Sequence, residues 1–289
     1  MAKKVVITNV YNNTALPNRG FKIGHGQSFF IETPEMNILF ETGLKGKDLL
    51  HNMTLLGLDW NSISYLVLSH GHYDHTYGLP ELLRNWNTSQ KLTVIVHPAA
   101  FEPKGAYRRF FGLQIRVPIG FPRISKKLQE KLEFKFIKEP YSINSYISVS
   151  GEIPRKERDG TSDRLLHKKE GKWVKDPLVD DMALIIRAKE GLVVICGCCH
   201  SGVINTLRHV RNIYPDQTIH ALIGGTHMIN FYNNDLKHVG DVLEKEFDLP
   251  TLYLNHCTGN HAIAYLIERF DLENVKYCHV GTRIEFALE

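Results

Sequence analysis

Apolar residues recur along the chain in short runs separated by turns that contain Gly, Pro or Asn, a pattern typical of a strand-rich fold. Runs of strand length predict strands at residues 5–10, 28–32, 37–41, 65–68, 92–96, 182–187, 192–196, 219–223, 251–254, 275–279 and 283–286. Helical spacing of apolar residues predicts helices at 47–56, 78–86, 202–213, 235–247 and 262–270. Two strand-rich stretches with interleaved helices predict an α/β fold in which sheets lie between helical layers.

Residues 100–180 interrupt this regular pattern. They hold many Pro, Gly and charged residues, and we predict an irregular insertion within a single domain that spans residues 1–289. The segment 101–121 is both aromatic and basic. This segment is either a lid over a substrate or a surface excursion with its own small apolar cluster.

The composition limits the classes of function. Of the 289 residues 43% are hydrophobic, which is enough for a sizeable core, and 35 basic against 31 acidic residues give a net charge of +4. This balance predicts neither a nucleic-acid partner nor a membrane partner. The first residues lack the apolar stretch of a signal peptide, and an odd number of cysteines, five, favours reduced thiols. We therefore expect a cytoplasmic protein.

The segment 69–75 carries the strongest chemical signal in the chain. It places His70, His72, Asp74 and His75 in the pattern His-x-His-x-Asp-His, directly after an apolar run. Burying these groups unpaired would cost on the order of several kcal/mol. A divalent metal removes that cost, because histidine nitrogen and aspartate oxygen are preferred ligands of Zn²⁺ and similar ions. We expect His70 and His72 to share one ion and Asp74 and His75 to turn toward a second; the alternative is a histidine-rich surface loop.

Three further histidines also follow predicted strands. His200 comes after the strand at 192–196, His227 after the strand at 219–223, and His256 after the strand at 251–254. The ends of neighbouring strands can converge on one crevice in an open sheet. These loops and the loop of His70 would together supply enough ligands for two ions.

In this order, the histidines resemble the metal signature of the metallo-β-lactamase superfamily. The resemblance spans nearly the whole chain and implies a four-layer αββα sandwich. It also implies one or two divalent metal ions, Zn being the first expectation and Mn, Fe or Mg the alternatives. The resemblance assigns the first metal to His70, His72 and His200, and the second metal to Asp74, His75 and His256.

The chain departs from the family pattern in two places. Glu41 stands where a supporting Asp is common, and we expect the longer side chain to be accommodated. Gly225 stands where a metal-bridging Asp is common, and His227 follows two residues later. Either the bridge is missing or His227 replaces it as a ligand. We favour a substrate-binding role for His227, because a side chain two residues along enters the crevice at a different angle.

A narrower resemblance concerns segments 150–155, 225–228 and 256–259. They are similar to one branch of the superfamily, which contains dihydropterin-ribofuranosylaminobenzene 5'-phosphate synthase. In that reaction an aryl amine displaces diphosphate from a hydroxymethyl-dihydropterin. Many other members of the branch carry only the general description of metal-dependent hydrolases.

Several side chains outside this signature are candidates for supporting roles. Arg155 would clamp a substrate phosphate, or pair with Glu152 at the surface. His97 at a predicted strand end is a candidate to support a metal-bound histidine. Asp181 is a second candidate for this supporting role, and its neighbours Asp176 and Asp180 are alternatives. The competing interpretation is that these are ordinary turn carboxylates.

Two further features leave alternatives open. The cysteines at 196, 198 and 199 precede His200 and would form either a thiolate zinc site or small buried residues. We expect buried residues, because no second cysteine pair stands at a suitable spacing. His25 lies in a Gly-containing turn and either reaches the mouth of the pocket or is an exposed turn residue.

These observations predict a hydrolase of a phosphorylated or otherwise anionic small molecule that acts through metal-bound hydroxide. A metal lowers the pKa of its bound water from 15.7 toward about 7. Asp74 is the predicted catalytic residue, since it would orient the nucleophile or manage its proton. The alternatives are a transferase in which an amine replaces water, and a metal-dependent ligand sensor without turnover.

Overall fold

The secondary structure comes from a computed structural model that describes residues 3–157 and 164–288. The strands are β1 (Lys4–Tyr11), β2 (Ser28–Glu32), β3 (Asn37–Phe40), β4 (Ile63–Val67), β5 (Leu92–Val96), β6 (Lys104–Phe110), β7 (Leu113–Pro118), β8 (Leu132–Phe136), β9 (Tyr141–Ser142), β10 (Ile147–Val149), β11 (Leu165–Lys169), β12 (Lys172–Lys175), β13 (Ala183–Ala188), β14 (Gly191–Cys196), β15 (Ile219–Gly224), β16 (Thr251–Leu254), β17 (Val275–Tyr277) and β18 (Arg283–Ala287). The helices are α1 (Gly46–Leu55), α2 (Tyr73–Thr76), α3 (Leu79–Arg84), α4 (Lys126–Gln129), α5 (Val203–Ile213), α6 (Asn233–Phe247) and α7 (Asn260–Asn274).

Two seven-stranded sheets form the centre of the fold. The first has the order β18-β1-β2-β3-β4-β5-β8, and the second has the order β17-β16-β15-β14-β13-β10-β9. Strands β3, β4, β5 and β8 run parallel to one another, as do β14, β15, β16 and β17. Each sheet therefore presents several carboxyl-terminal strand ends along one edge.

Alternating side chains divide the apolar residues among three cores, because successive side chains of a strand point to opposite faces. Along β14, Val193 and Ile195 pack between the sheets, whereas Leu192 and Val194 pack against α5, α6 and α7. On the other side of the molecule, Leu39 of β3 packs in the core that contains α1 and α3. Each such buried side chain stabilises the fold by about 1.5–3 kcal/mol. The layers are therefore α, β, β and α, which confirms the predicted sandwich.

The insertion at residues 100–180 is more regular than predicted. The expectation of an irregular segment is wrong, since β6, β7, β11 and β12 form a third, antiparallel sheet of order β12-β11-β6-β7. In addition, β8 extends the first main sheet, and β9 and β10 extend the second. Most residues of β7 and β12 are exposed, so their sequences lack the apolar alternation that marks a half-buried strand. Residues 158–163 of the predicted insertion lie outside the described residues.

A buried ion-pair cluster ties this third sheet to the rest of the molecule. Lys104, at the start of β6, is 3% exposed, and its ammonium nitrogen lies 2.8 Å from Asp176 Oδ2 and 3.0 Å from Asp180 Oδ1. The other oxygen of Asp180 accepts a hydrogen bond from the backbone N–H of Gly71 at 2.8 Å. The Lys104 cluster, made of Lys104, Asp176 and Asp180, therefore connects the insertion to the loop between the first two signature histidines.

Helices α1, α3, α5 and α6 match the predicted ones within a few residues, whereas the short helices α2 and α4 were not predicted and α7 is longer than expected. This helix extends to Asn274 and is interrupted at Asp271, whose φ is 65°. Among the residues with described structure, no helix is long and apolar enough to cross a membrane.

Candidate metal centre

The signature residues come together at the carboxyl edge of the two sheets. Glu41 follows β3, the 69–75 loop follows β4, and His200, His227 and His256 follow β14, β15 and β16 respectively. Parallel strands place these loops at one edge, as expected for sites in open sheets.

Three histidines form a first cluster of ligand atoms. His70 Nε2 lies 3.0 Å from His72 Nδ1, and His200 Nε2 lies 3.2 Å from the same atom. All three side chains are buried, at 0–5% exposure. Three imidazole nitrogens that face one point with no carboxylate among them fit a nitrogen-preferring divalent ion such as Zn²⁺. The structure thus brings together the predicted first set.

A second cluster contains the predicted Asp74, His75 and His256. Asp74 Oδ2 lies 3.5 Å from His75 Nε2 and 3.4 Å from His256 Nε2. A fourth group joins them, because Cys198 Sγ lies 3.1 Å from His75 Nε2. The four possible ligand atoms all lie within 4.8 Å of one another. The donor set of nitrogen, oxygen and sulfur suits a divalent transition metal.

Glu41 connects the two clusters. Its Oε2 lies 2.6 Å from His75 Nδ1, and its Oε1 accepts a hydrogen bond from the hydroxyl of Ser69. That hydroxyl lies 2.7 Å from His70 Nδ1. The rings of His70 and His75 are themselves adjacent, with centroids 4.4 Å apart. One buried carboxylate therefore orients a histidine of each cluster, and the predicted supporting position does accommodate the longer side chain.

Burial sets the charge of most of these imidazoles. It lowers the pKa of His70 and His200 well below 6.5, and it lowers the pKa of His72 to about 3 and that of His256 to about 4. These rings are neutral at pH 7, which is the form that binds metals. His75 differs: burial opposes its protonation, but the carboxylates of Glu41 and Asp74 raise its pKa well above 6.5.

Asp74 is a carboxylate that several donors stabilise. Burial alone would raise its pKa, but the charge of His75 and the adjacent imidazoles of His25 and His256 hold the pKa well below 3.8. His25 Nε2 lies 3.1 Å from Asp74 Oδ2, and the His25 side chain is 50% exposed. His25 therefore does reach the mouth of the site, one of the two readings that the sequence left open.

The loops at this edge adopt unusual backbone conformations. Four non-glycine residues have positive φ values of 46–66°, namely Glu41, Cys199, His227 and His256. Such left-handed conformations cost about 1–2 kcal/mol each for residues with a Cβ. Each of these residues is a site residue or stands next to one. The strained backbone therefore lies where the chain turns these side chains toward the site.

The family model described as the metallo-beta-lactamase superfamily matches residues 22–210 of the chain. The chain belongs to the metallo-β-lactamase superfamily. It is 34% identical to the uncharacterized protein MJ0448 of Methanocaldococcus jannaschii, over 96% of this chain and 98% of that one. It is 28% identical to the 7,8-dihydropterin-6-methyl-4-(beta-D-ribofuranosyl)-aminobenzene-5'-phosphate synthase of the same organism, over 93% of this chain and 92% of that enzyme.

The fold is also similar to solved structures of superfamily proteins. The crystal structure of Tm1679, a metal-dependent hydrolase of the β-lactamase superfamily, superposes with a TM-score of 0.81 at 25% identity. The match covers 98% of this chain and 99% of that chain. The likeness thus extends over the insertion as well as the two main sheets.

The surroundings of Gly225, the second predicted departure from the family pattern, are crowded. A Cβ atom at this position would lie 2.6 Å from Cys257 Sγ and 2.6 Å from the carbonyl oxygen of Gly197. No side chain fits there, so this superfamily member offers no bridging carboxylate from the end of β15.

His227 and Arg155 were predicted to bind substrate. The ring of His227 faces the first cluster, with its centroid 4.5 Å from that of His200. The guanidinium of Arg155 instead donates to the backbone carbonyls of His200 at 3.1 Å and Leu178 at 2.8 Å. These bonds place Arg155 as a support of the His200 loop, and substrate contact by either residue stays a prediction.

The predicted supporting residues His97 and Asp181 form hydrogen bonds with Glu152 and with backbone N–H groups. His97 Nε2 lies 2.9 Å from Glu152 Oε1, and His97 Nδ1 accepts from the N–H of Ala99. Asp181 accepts from the N–H of Ser201 at 2.7 Å. A role for either side chain in orienting a metal-bound imidazole stays a prediction. Burial raises the pKa of Asp181 to about 6.

Three site contacts were missed from sequence. Cys198 was interpreted as a small buried residue, yet its sulfur lies among the ligand atoms of the second cluster. Ser69 holds His70 as described above, and Asn13 Oδ1 lies 2.8 Å from His256 Nδ1. Ser69 stands directly before the first signature histidine, which was the available signal; Asn13 is distant in sequence and gave none.

Proposed function

We propose that this protein is a metal-dependent hydrolase that acts on a phosphorylated or otherwise anionic small molecule. The observation that carries the proposal is the pair of adjacent clusters, with His70, His72 and His200 in one and Asp74, His75 and His256 in the other. A bound divalent ion, which we propose to be Zn²⁺, supplies a water of lowered pKa and stabilises charge that develops on the substrate. Membership of a superfamily with metal-dependent hydrolases supports this chemistry.

Asp74 and His25 would manage the proton of the reaction. Because the pKa of Asp74 lies well below its usual value, Asp74 is an acceptor at neutral pH rather than an acid. His25 contacts the same carboxylate oxygen and is half-exposed. His25 Nε2, beside the same oxygen at the mouth of the site, would carry a proton between the site and solvent.

The surroundings of the clusters favour an anionic substrate of modest size. A cleft of about 590 Å³ lies beside the second cluster, and His256 forms part of its wall. Such a volume suits a small molecule. On another side of the ligand loop, Arg108 of β6 lies 3.4 Å from the hydroxyl of Tyr73, the residue before Asp74. Arg108 and His227 are the groups that we propose to bind a substrate phosphate.

Transfer is the second candidate function, supported by the 28% identity to the dihydropterin synthase over 93% of this chain. In that case an aryl amine takes the place of water, and diphosphate is the leaving group. Asp74 would then accept a proton from the amine.

Five cysteines without a disulfide in the described part of the chain also support a reducing, cytoplasmic setting.

The test is a comparison of the two reactions with zinc-loaded protein. Phosphomonoesters, phosphodiesters, lactones and thioesters would be screened for hydrolysis, and a pterin diphosphate with an aryl amine would be screened for diphosphate release. Asp74→Asn is the matched inactive variant. Hydrolysis that disappears in this variant supports the first proposal, and diphosphate release that requires the amine supports the second. Ligand binding without any product would reject both and favour a sensor.

A further inference from the structure

The thiol of Cys198 occupies an unusual position in the site. Cys198 and His200 lie two residues apart after β14, with Cys199 between them in a left-handed conformation. The chain therefore sends His200 into the first cluster and Cys198 into the second. Cys198 Sγ lies 3.1 Å from His75 Nε2, and it belongs to the group of four ligand atoms with Asp74 and His256.

The second cluster receives no side-chain ligand from Gly225 at the end of β15. Gly225 has no side chain, and its surroundings leave no room for one. Without Cys198 the cluster would hold only Asp74, His75 and His256. Structural and mixed-ligand sites of transition metals commonly use four protein ligands, of which cysteine sulfur is among the strongest.

We propose that Cys198 is a thiolate ligand of the second metal, the fourth protein ligand beside Asp74, His75 and His256. On metal binding, the S–H bond breaks, a sulfur–metal bond forms and the proton passes to solvent. Asp74 and the thiolate together balance the two positive charges of the ion. This inference rests on the metal binding that the proposed function requires, but not on the reaction itself.

The neighbouring cysteines have other partners, so they are suitable controls. Cys199 Sγ lies 3.3 Å from the hydroxyl of Thr206 and packs in the core against α5. Cys257 Sγ donates to the carbonyl oxygen of Cys198 at 3.5 Å. Neither sulfur belongs to the group of ligand atoms around Asp74.

A sulfur ligand also determines which metals the second site accepts. Thiolate is a soft ligand that selects Zn²⁺, Co²⁺ or Cd²⁺ and disfavours Mg²⁺ and Mn²⁺, which prefer oxygen. The first cluster, with three imidazoles, has a different preference. The two sites should therefore fill in separate steps when one metal is titrated.

The experiment is a titration of metal-free, full-length protein with Co²⁺, followed by absorption spectroscopy. Thiolate ligation gives a charge-transfer band in the near ultraviolet, whereas His and Asp ligation gives none. We expect two equivalents of Co²⁺ to bind, one of them with this band. Cys198→Ser should lose the band and weaken that equivalent by at least about tenfold, with the other equivalent unchanged. Cys199→Ser should keep the wild-type spectrum.

The possible outcomes separate this inference from the proposed function. Two equivalents without a band in the wild type would overturn the role of Cys198 and leave the hydrolase proposal in place. A band that survives in Cys198→Ser, or that disappears only in Cys257→Ser, would also overturn it. A wild type that binds no Co²⁺ would reject both proposals. If Cys198→Ser does not fold, the spectra of Cys199→Ser and Cys257→Ser decide: a wild-type band that both variants keep supports Cys198, the cysteine that lies among the ligand atoms, and a band lost in either variant overturns the proposal.

Discussion

Glu41→Gln is the substitution that tests the geometry of the centre most directly. The side chain is fully buried, and its two oxygens contact His75 and, through Ser69, His70. Glutamine has nearly the same shape but no charge, and its amide nitrogen is a donor where Glu41 offers only acceptors. In Glu41→Gln, one of the two hydrogen bonds must therefore be lost, or its donor and acceptor must exchange roles.

The expected magnitude follows from the role of Glu41 as a partner of ligand histidines. Removing such a partner costs about 10–100-fold in metal affinity. That factor corresponds to about 1.4–2.7 kcal/mol of binding free energy. Because Glu41 holds one histidine of each cluster, we expect both metal sites to weaken in Glu41→Gln. Ser69→Ala breaks only the path to His70, so it should weaken the first site and leave the second unchanged.

The pH dependence of metal binding gives a second signature of Glu41. The pKa of His75 lies well above 6.5 in the metal-free protein, and a protonated imidazole cannot bind a metal. Affinity of the second site should therefore rise more steeply with pH below that pKa than above it, because binding no longer displaces a proton from His75 once the imidazole is neutral. Glu41→Gln removes the main charge that raises this pKa. The rise in affinity should then move to lower pH.

The assay is competition with a chromogenic chelator, which reports the affinity of each of the two sites across a range of pH. Wild type, Glu41→Gln and Ser69→Ala would be compared in the same buffers. If Glu41→Gln bound both metals with wild-type affinity, or if its affinity showed the wild-type pH dependence, the proposed role of Glu41 would be refuted.

The remaining predictions concern other parts of the site and its support. Lys104→Met should destabilise the protein by about 3–5 kcal/mol, because it leaves two buried carboxylates unpaired. The control is Lys172→Met on the exposed face of the same sheet, which should change stability by less than about 0.5 kcal/mol. Urea unfolding measures both, and equal effects would contradict the reasoning. Asp74→Asn should retain the first metal and lose most turnover; wild-type turnover would remove Asp74 from the mechanism. His227→Ala should raise KM or lower kcat with metal content unchanged, and loss of the second metal by elemental analysis would make it a ligand instead.

Sequence patterns predicted the features that depend on residues close together in the chain. The strands and helices of both main layers follow from apolar periodicity, and the 69–75 motif identified four ligand candidates within one loop. The positions of His200 and His256 also followed, because each stands directly after a buried strand. These features need no knowledge of distant contacts.

The features that were missed depend on which distant segments meet. Cys198 has the same local context as Cys196 and Cys199, and only the left-handed conformation at Cys199 sends its thiol toward His75. His97 and Asp181 stand at strand ends as predicted, but their partners are Glu152 and the backbone of Ser201. The strands of the insertion lacked a half-buried pattern. Tertiary packing decides all of these, and a single sequence does not display it.

The Lys104 cluster limits how this protein can be recombined with its relatives. Lys104 lies in the first strand of the insertion, whereas Asp176 and Asp180 come more than seventy residues later, after its last strand. A chimera that exchanges β6 and β7 alone would separate the cation from its two carboxylates and would loosen the backbone at Gly71. Exchanges between relatives should therefore cross over before residue 104 and after residue 180. Such an exchange keeps Lys104, Asp176 and Asp180 together in one segment.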